Sequence, residues 1–266
     1  MDTALALGLT AFDLTPYSTV AGSYGDLVGQ AVAAAQHARW DVVVSVRIGR
    51  ATGPGPRTGY GSRKYLLSTL DALLHRTGLG HVDLLFAHGY DPHTPLEETT
   101  AALADAVQQG KALYPGLSGY APAPLTRAAN LLRERGTPAV ACQLPYSLLN
   151  RWAEDATIDT LTRHDIGAIA CAPLSHGDLA HTTPPHFPPT APVQPCPLRT
   201  LAAARGQTPA QLALSWTLHT PAIASALITT TQATHLAENS RASHHTTFTP
   251  TELATLDACH PPPERP

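Results

Sequence analysis

The amino-acid sequence predicts a (β/α)8-type barrel, and three observations carry that expectation. Short apolar or β-branched runs alternate with amphipathic segments along the whole chain. The strand-like runs are continuously apolar, as in strands buried on both faces of a parallel sheet. Seven such alternations in 266 residues fill a barrel better than an open doubly wound sheet. The barrel requires eight strands, and only seven are legible.

In chain order the strand-like runs fall at 11–15, 42–49, 82–89, 112–119, 139–145, 167–173 and 223–229. Between them, helical spacing of apolar residues predicts helices over 25–37, 62–78, 96–109, 124–135, 156–163, 208–219 and 232–243. A final helix over 249–260 opens with a proline and an early acid, as helix starts do. Residues 181–197 break the rhythm with seven prolines, which exclude a helix. Too few elements follow for a second domain, so the expectation is one domain over 1–266, with 181–197 a loop over the barrel mouth.

Composition narrows the function classes. Apolar residues make up 43% and charged residues 14% of the chain, as in a globular protein with a rather uncharged surface. A net charge of −3 without a Lys/Arg cluster argues against nucleic-acid binding. The four cysteines are widely spaced without a CxxC, which suggests neither a metal site nor a disulfide framework. No apolar run is long enough to span a membrane, and no signal peptide is visible, so the expected location is the cytoplasm.

In a parallel barrel, chemistry gathers at the C-terminal ends of the strands. The polar residues there are Asp13, Tyr17, Arg47, His88, Ser118, Gln143 and Tyr146. Four of them together are expected to make an acid–base unit. Tyr17 would be the proton donor or acceptor, and a cation at Arg47 would lower its pKa. Asp13 would hold that cation, and His88 would hydrogen-bond a substrate oxygen. Taken singly, Asp13 with Arg47 reads as a buried structural ion pair and His88 as a satisfied core histidine.

The chain also resembles the aldo-keto reductases, in the branch of bacterial glyceraldehyde-type reductases and potassium-channel β subunits. The resemblance is carried by "GLTAFDLTPY" (8–17), "GSRKYLLSTLDALLHRTGLGHVDLLFAHGYDPHTPLEET" (61–99), "AVQQGKALYPGLSGY" (106–120), "QLPYSLLNR" (143–151), "GAIACAPLSHG" (167–177) and "LAENSRA" (236–242). It implies that Asp13, Tyr17 and His88 are catalytic. It also implies that Ser118 and Gln143 hold a nicotinamide carboxamide, and that Glu238 and Asn239 lie near an adenine.

Other positions depart from that pattern. Arg47 replaces the family's catalytic lysine, and Cys171 replaces the aromatic that stacks on the nicotinamide. The phosphate-binding turn reads "ITTTQ", with Gln232 where an arginine is common, and the spacing from Asp13 to Tyr17 is one residue short. The family's N-terminal hairpin and first barrel strand have no counterpart, which accounts for the missing eighth strand.

All these departures bear on one ligand. The leading expectation is therefore an enzyme with an eroded nicotinamide site and no cofactor, using Tyr17 and His88 on a hydroxyl or carbonyl substrate. Dehydration, cyclisation or isomerisation in a biosynthetic pathway fit that description. The alternative is an NADPH-dependent reductase of a small carbonyl compound. A third reading is a non-catalytic binding or regulatory subunit. The missing strand leaves edges at 11–15 and 223–229, which could pair between copies in a homo-oligomer.

Overall fold

The computed structural model describes residues 1–14, 29–33, 39–49, 59–180 and 197–259. Tyr17 and residues 181–196 of the proline-rich segment lie outside the described residues. All seven expected strands are present: β1 (Ala11–Leu14), β2 (Val43–Ile48), β3 (Val82–His88), β4 (Ala112–Ser118), β5 (Ala141–Pro145), β6 (Gly167–Cys171) and β7 (Ile223–Leu227). The helices are α1 (Asp2–Ala6), α2 (described over residues 29–33), α3 (Arg63–Thr77), α4 (Leu96–Gln108), α5 (Pro122–Glu134), α6 (Thr157–Arg163), α7 (Leu198–Ala204), α8 (Pro209–His219), α9 (Ala233–Ser240) and α10 (Pro250–Asp257). Helix α7 is absent from the helices read in the sequence. It has only seven residues and follows directly on the proline-rich stretch.

The chain divides into two compact units. The first comprises Met1–Gln143 and Asp159–Gly167, and the second Leu144–Ile158 and Ala168–Pro266. In the first unit, β1 to β5 are parallel and pair in chain order. Helix α3 shows why these elements form. Ser62 caps its start by accepting from the Tyr65 N–H at 3.4 Å, and Gly78 ends it in a left-handed turn at φ 75°. Leu66, Leu70 and Leu73 are buried at helical spacing. Helix α4 carries Glu97 and Glu98 in its first turn, where the helix dipole favours acids.

In the second unit β6 and β7 are parallel. Helices α8 and α10 each begin with a capping box followed by proline at the first turn. In α8 the box pairs Thr208 with Gln211, and in α10 it pairs Thr249 with Glu252. The early acid noted in the sequence before α10 is thus the reciprocal partner of the cap. Arg205 ties the unit's C-terminal part together: it donates to Glu252 at 2.7 Å and to the His245 and Thr247 carbonyls at 3.0 Å each. Its guanidinium also lies 4.3 Å from the centre of the Phe248 ring.

Register decides what meets what on the first unit's sheet. Neighbours in register on parallel strands project to the same face, and residues two apart return to it. Asp13 is opposite Ser45, which is opposite Leu84. Two residues on, Arg47 is opposite Phe86, which is opposite Gly116. The next row brings His88, Ser118 and Gln143 side by side. Gly116 is required in the middle row, because a Cβ there would lie 2.4 Å from the Phe86 ring.

Candidate active site

The three rows bring five of the residues named from sequence onto one face of one unit. Asp13 is the centre. Its side chain is only 4% exposed and sits against Arg47, whose side chain is 20% exposed. The Arg47 Nε donates to Asp13 Oδ2 at 3.1 Å, and Nη2 lies 3.1 Å from the same oxygen. The other carboxylate oxygen, Oδ1, accepts from Ser45 Oγ at 2.6 Å and from Gln143 Nε2 at 2.9 Å. A carboxylate so far from water needs both a counter-charge and filled acceptor sites, and it has both.

His88 ends β3 half-buried, beside Ser118 across the register. Gly49, the residue after β2, stands at φ 136°, and a Cβ there would meet the His88 N at 2.9 Å and its carbonyl oxygen at 3.0 Å. Burial lowers the imidazole pKa below its ordinary 6.5, and the Asp13 charge partly opposes this. A neutral imidazole at neutral pH is the result. Such a ring can donate a hydrogen bond to a substrate oxygen without carrying charge.

Ser118 and Gln143 are buried beside His88. Their hydroxyl and amide sit on adjacent strands in direct register. In chemistry they suit a carboxamide, which needs both a donor and an acceptor. Gln143 also reaches Asp13, a link that its position in the sequence does not disclose. Ser45 is a further site residue that strand ends did not reveal. The signal available was its place two residues before Arg47 on an alternating strand.

Tyr146 belongs to the second unit. Its hydroxyl donates to Glu154 at 2.6 Å, its ring stacks on Trp216 at 5.4 Å, and burial with the Glu154 bond pushes its phenol pKa up. That is a structural tyrosine. Cys171 ends β6, half-buried. Gln232 stands exposed just before α9. Glu238 on α9 accepts from Thr208 Oγ1 at 2.6 Å, while its carbonyl accepts from Gln211 Nε2 at 2.8 Å. Thr208, Gln211 and Glu238, with Thr234 and Arg241, line an open cavity of about 590 Å³ within the second unit. Asn239 is the next residue of α9, half-buried.

The fold agrees with what comparison finds. Residues 1–261 match the Aldo/keto reductase family, and the chain belongs to that family. Its seven parallel β/α units are an incomplete (β/α)8 barrel of that type. The chain is 37% identical to the L-glyceraldehyde 3-phosphate reductase of Escherichia coli K12, over 96% of its own length and 80% of the relative's. It is 28% identical to a putative voltage-gated potassium channel subunit beta of Schizosaccharomyces pombe, over 89% of its length and 75% of that protein's. Both relatives fall in the branch that the sequence resemblance indicated. The family match and the E. coli relative favour the reductase alternative over the cofactor-free reading expected first. Among the described residues, no helix is long and apolar enough to cross a membrane.

Proposed function

We propose that the protein is an NADPH-dependent reductase of a small carbonyl compound. The observation that carries this reading is the buried Asp13–Arg47 pair, with neutral His88 on the same face of the sheet. His88 donates a hydrogen bond to the carbonyl oxygen and orients it. Arg47 keeps a permanent positive charge in the pocket, where it stabilises negative charge developing on that oxygen. The resemblance puts the proton on Tyr17, and a cation close to a phenol eases its release. Asp13 holds the guanidinium in place.

Each unit, taken by itself, carries residues that suit part of a dinucleotide. Ser118 and Gln143 offer the mixed donor and acceptor set that a carboxamide requires. The cavity beside Glu238 has room and hydrogen-bonding partners for an adenosine portion. A bound reduced nicotinamide would supply the hydride. The name of the E. coli relative supports a small aldehyde as the substrate class. Arg47, Cys171 and Gln232, which argued for a lost cofactor, are then substitutions that cofactor binding tolerates.

Thermal stabilisation by NADPH and by NADH tests the cofactor. A ligand at 100 times its Kd stabilises by about 2.7 kcal/mol. Oxidation of NADPH with a panel of small aldehydes, L-glyceraldehyde 3-phosphate among them, tests the reaction. Stabilisation together with turnover is the expected result. The absence of both for either nicotinamide would overturn the reading and return the pocket to non-redox acid–base chemistry.

A further inference from the structure

Arginine and a carboxylate commonly meet fork to fork, with two parallel N–H···O bonds to two oxygens. Here Nε and Nη2 of Arg47 both approach Oδ2 of Asp13. The other oxygen is occupied, by Ser45 at 2.6 Å and Gln143 at 2.9 Å. Ser45 is 7% exposed, and it stands opposite Asp13 in the register of β1 and β2. A short bond from an adjacent strand therefore fixes how the carboxylate is turned. That turn in turn sets which edge of the guanidinium is gripped.

We propose that Ser45 is a positioning residue: by loading Oδ1 of Asp13 it sets the carboxylate's rotation and hence the direction in which Arg47 presents its charge. The proposal rests on the reductase reading only for its kinetic consequence. A lysine has no edge to turn, since its ammonium is a compact point charge. A guanidinium is planar, and a rotated carboxylate would carry it out of line with the substrate oxygen. The requirement for a donor at position 45 follows from having arginine at position 47.

Two readouts test this. The first needs no turnover: the Nε–H resonance of Arg47 in nitrogen-15 NMR, assigned with Arg47→Lys. In the wild type it reports a single-oxygen contact. Ser45→Ala leaves Oδ1 with Gln143 but opens the acceptor site that the serine filled. A guanidinium N–H can then take it, the pair relaxes toward fork to fork, and the resonance is expected to move. Ser45→Thr keeps the hydroxyl and is expected to restore it. The second readout is steady-state reduction of L-glyceraldehyde 3-phosphate with NADPH. There Ser45→Ala is expected to lower kcat about tenfold with KM changed less than about twofold, and Ser45→Thr to recover most of the loss. A Ser45→Ala protein with an unmoved Arg47 resonance overturns the proposal, and so does a threonine variant no better than alanine by NMR. If the wild type reduces no carbonyl, the reductase reading fails while the resonance still decides the role of Ser45.

Discussion

Asp13→Asn is the most informative single change, because it removes one charge and almost no volume. The structure fixes what must follow. Donors among the described residues that converge on the carboxylate include Ser45, Gln143 and the Arg47 guanidinium. Asparagine keeps one acceptor and turns the other into a donor. Its carbonyl would stay with Arg47, where the need is greatest. The serine hydroxyl can then rotate to accept, and the Gln143 amide can flip, so few hydrogen bonds are lost outright. What remains is the charge. Removing one member of a buried ion pair costs about 3–5 kcal/mol, and Arg47 is 20% exposed, which places the loss near the lower end. About 3 kcal/mol corresponds to a fall in Tm of about 6–12 °C for a chain of this size. Thermal and urea unfolding of Asp13→Asn, Arg47→Met and the double variant would measure it. The double variant should be less damaged than the sum of the singles, since neither charge is left alone. A single Asp13→Asn variant within about 0.5 kcal/mol of wild type would refute the reasoning, because it would mean that water already screens the pair.

Arg47→Lys keeps the charge but exchanges two nitrogen contacts for one. It is expected to lower Tm by a few degrees and leave NADPH-dependent turnover within about tenfold, whereas Arg47→Met should lower kcat by about 10²–10⁴; steady-state assays decide, and equal losses in both would show that the guanidinium shape is what matters. Gly49→Ala forces a Cβ against the His88 backbone at 2.9 Å and should cost about 1–3 kcal/mol, seen as a lower urea midpoint together with a displaced His88 imidazole signal. His88 also makes stability pH-dependent. Its folded pKa lies below the ordinary 6.5, so the unfolded chain binds the extra proton first. Stability is full above about pH 6.5 and falls as the pH drops through the folded pKa, and His88→Gln should flatten that slope in urea titrations across the range.

The strands and the acid–base residues were legible because each depends on a local pattern. Continuous apolar runs such as 84–87 read as buried strands, and Asp13, Arg47 and His88 stand out as polar groups at or near the strand ends. Helix α7 was missed because seven residues carry less than two full turns of periodicity, too little to stand out beside a proline-rich stretch. Ser45 and the Gln143–Asp13 bond were missed for another reason. They depend on register between strands distant in sequence, and 130 residues separate Gln143 from Asp13. The role of Tyr17 follows from resemblance and chemistry alone, since it lies outside the described residues.

The substitutions that first suggested a dead cofactor site read differently once the register is known. Lysine-to-arginine looks like a loss when position 47 is viewed by itself, because the two cations have different shapes. On the sheet, position 47 is one corner of a set with Asp13, Ser45 and Gln143, and every member of that set is hydrogen-bonded or ion-paired. Stability alone can keep such a pair once it exists, because losing one partner is costly, yet replacing both by hydrophobic residues is often as stable or more so. Under the proposed reductase reading, Asp13, Arg47 and Ser45, with Gly49 close against His88, make one site arranged around arginine. The double-variant cycle on Asp13 and Arg47 therefore tests more than stability. If the hydrophobic pair proves as stable as the native one while turnover is lost, the ion pair is kept for chemistry.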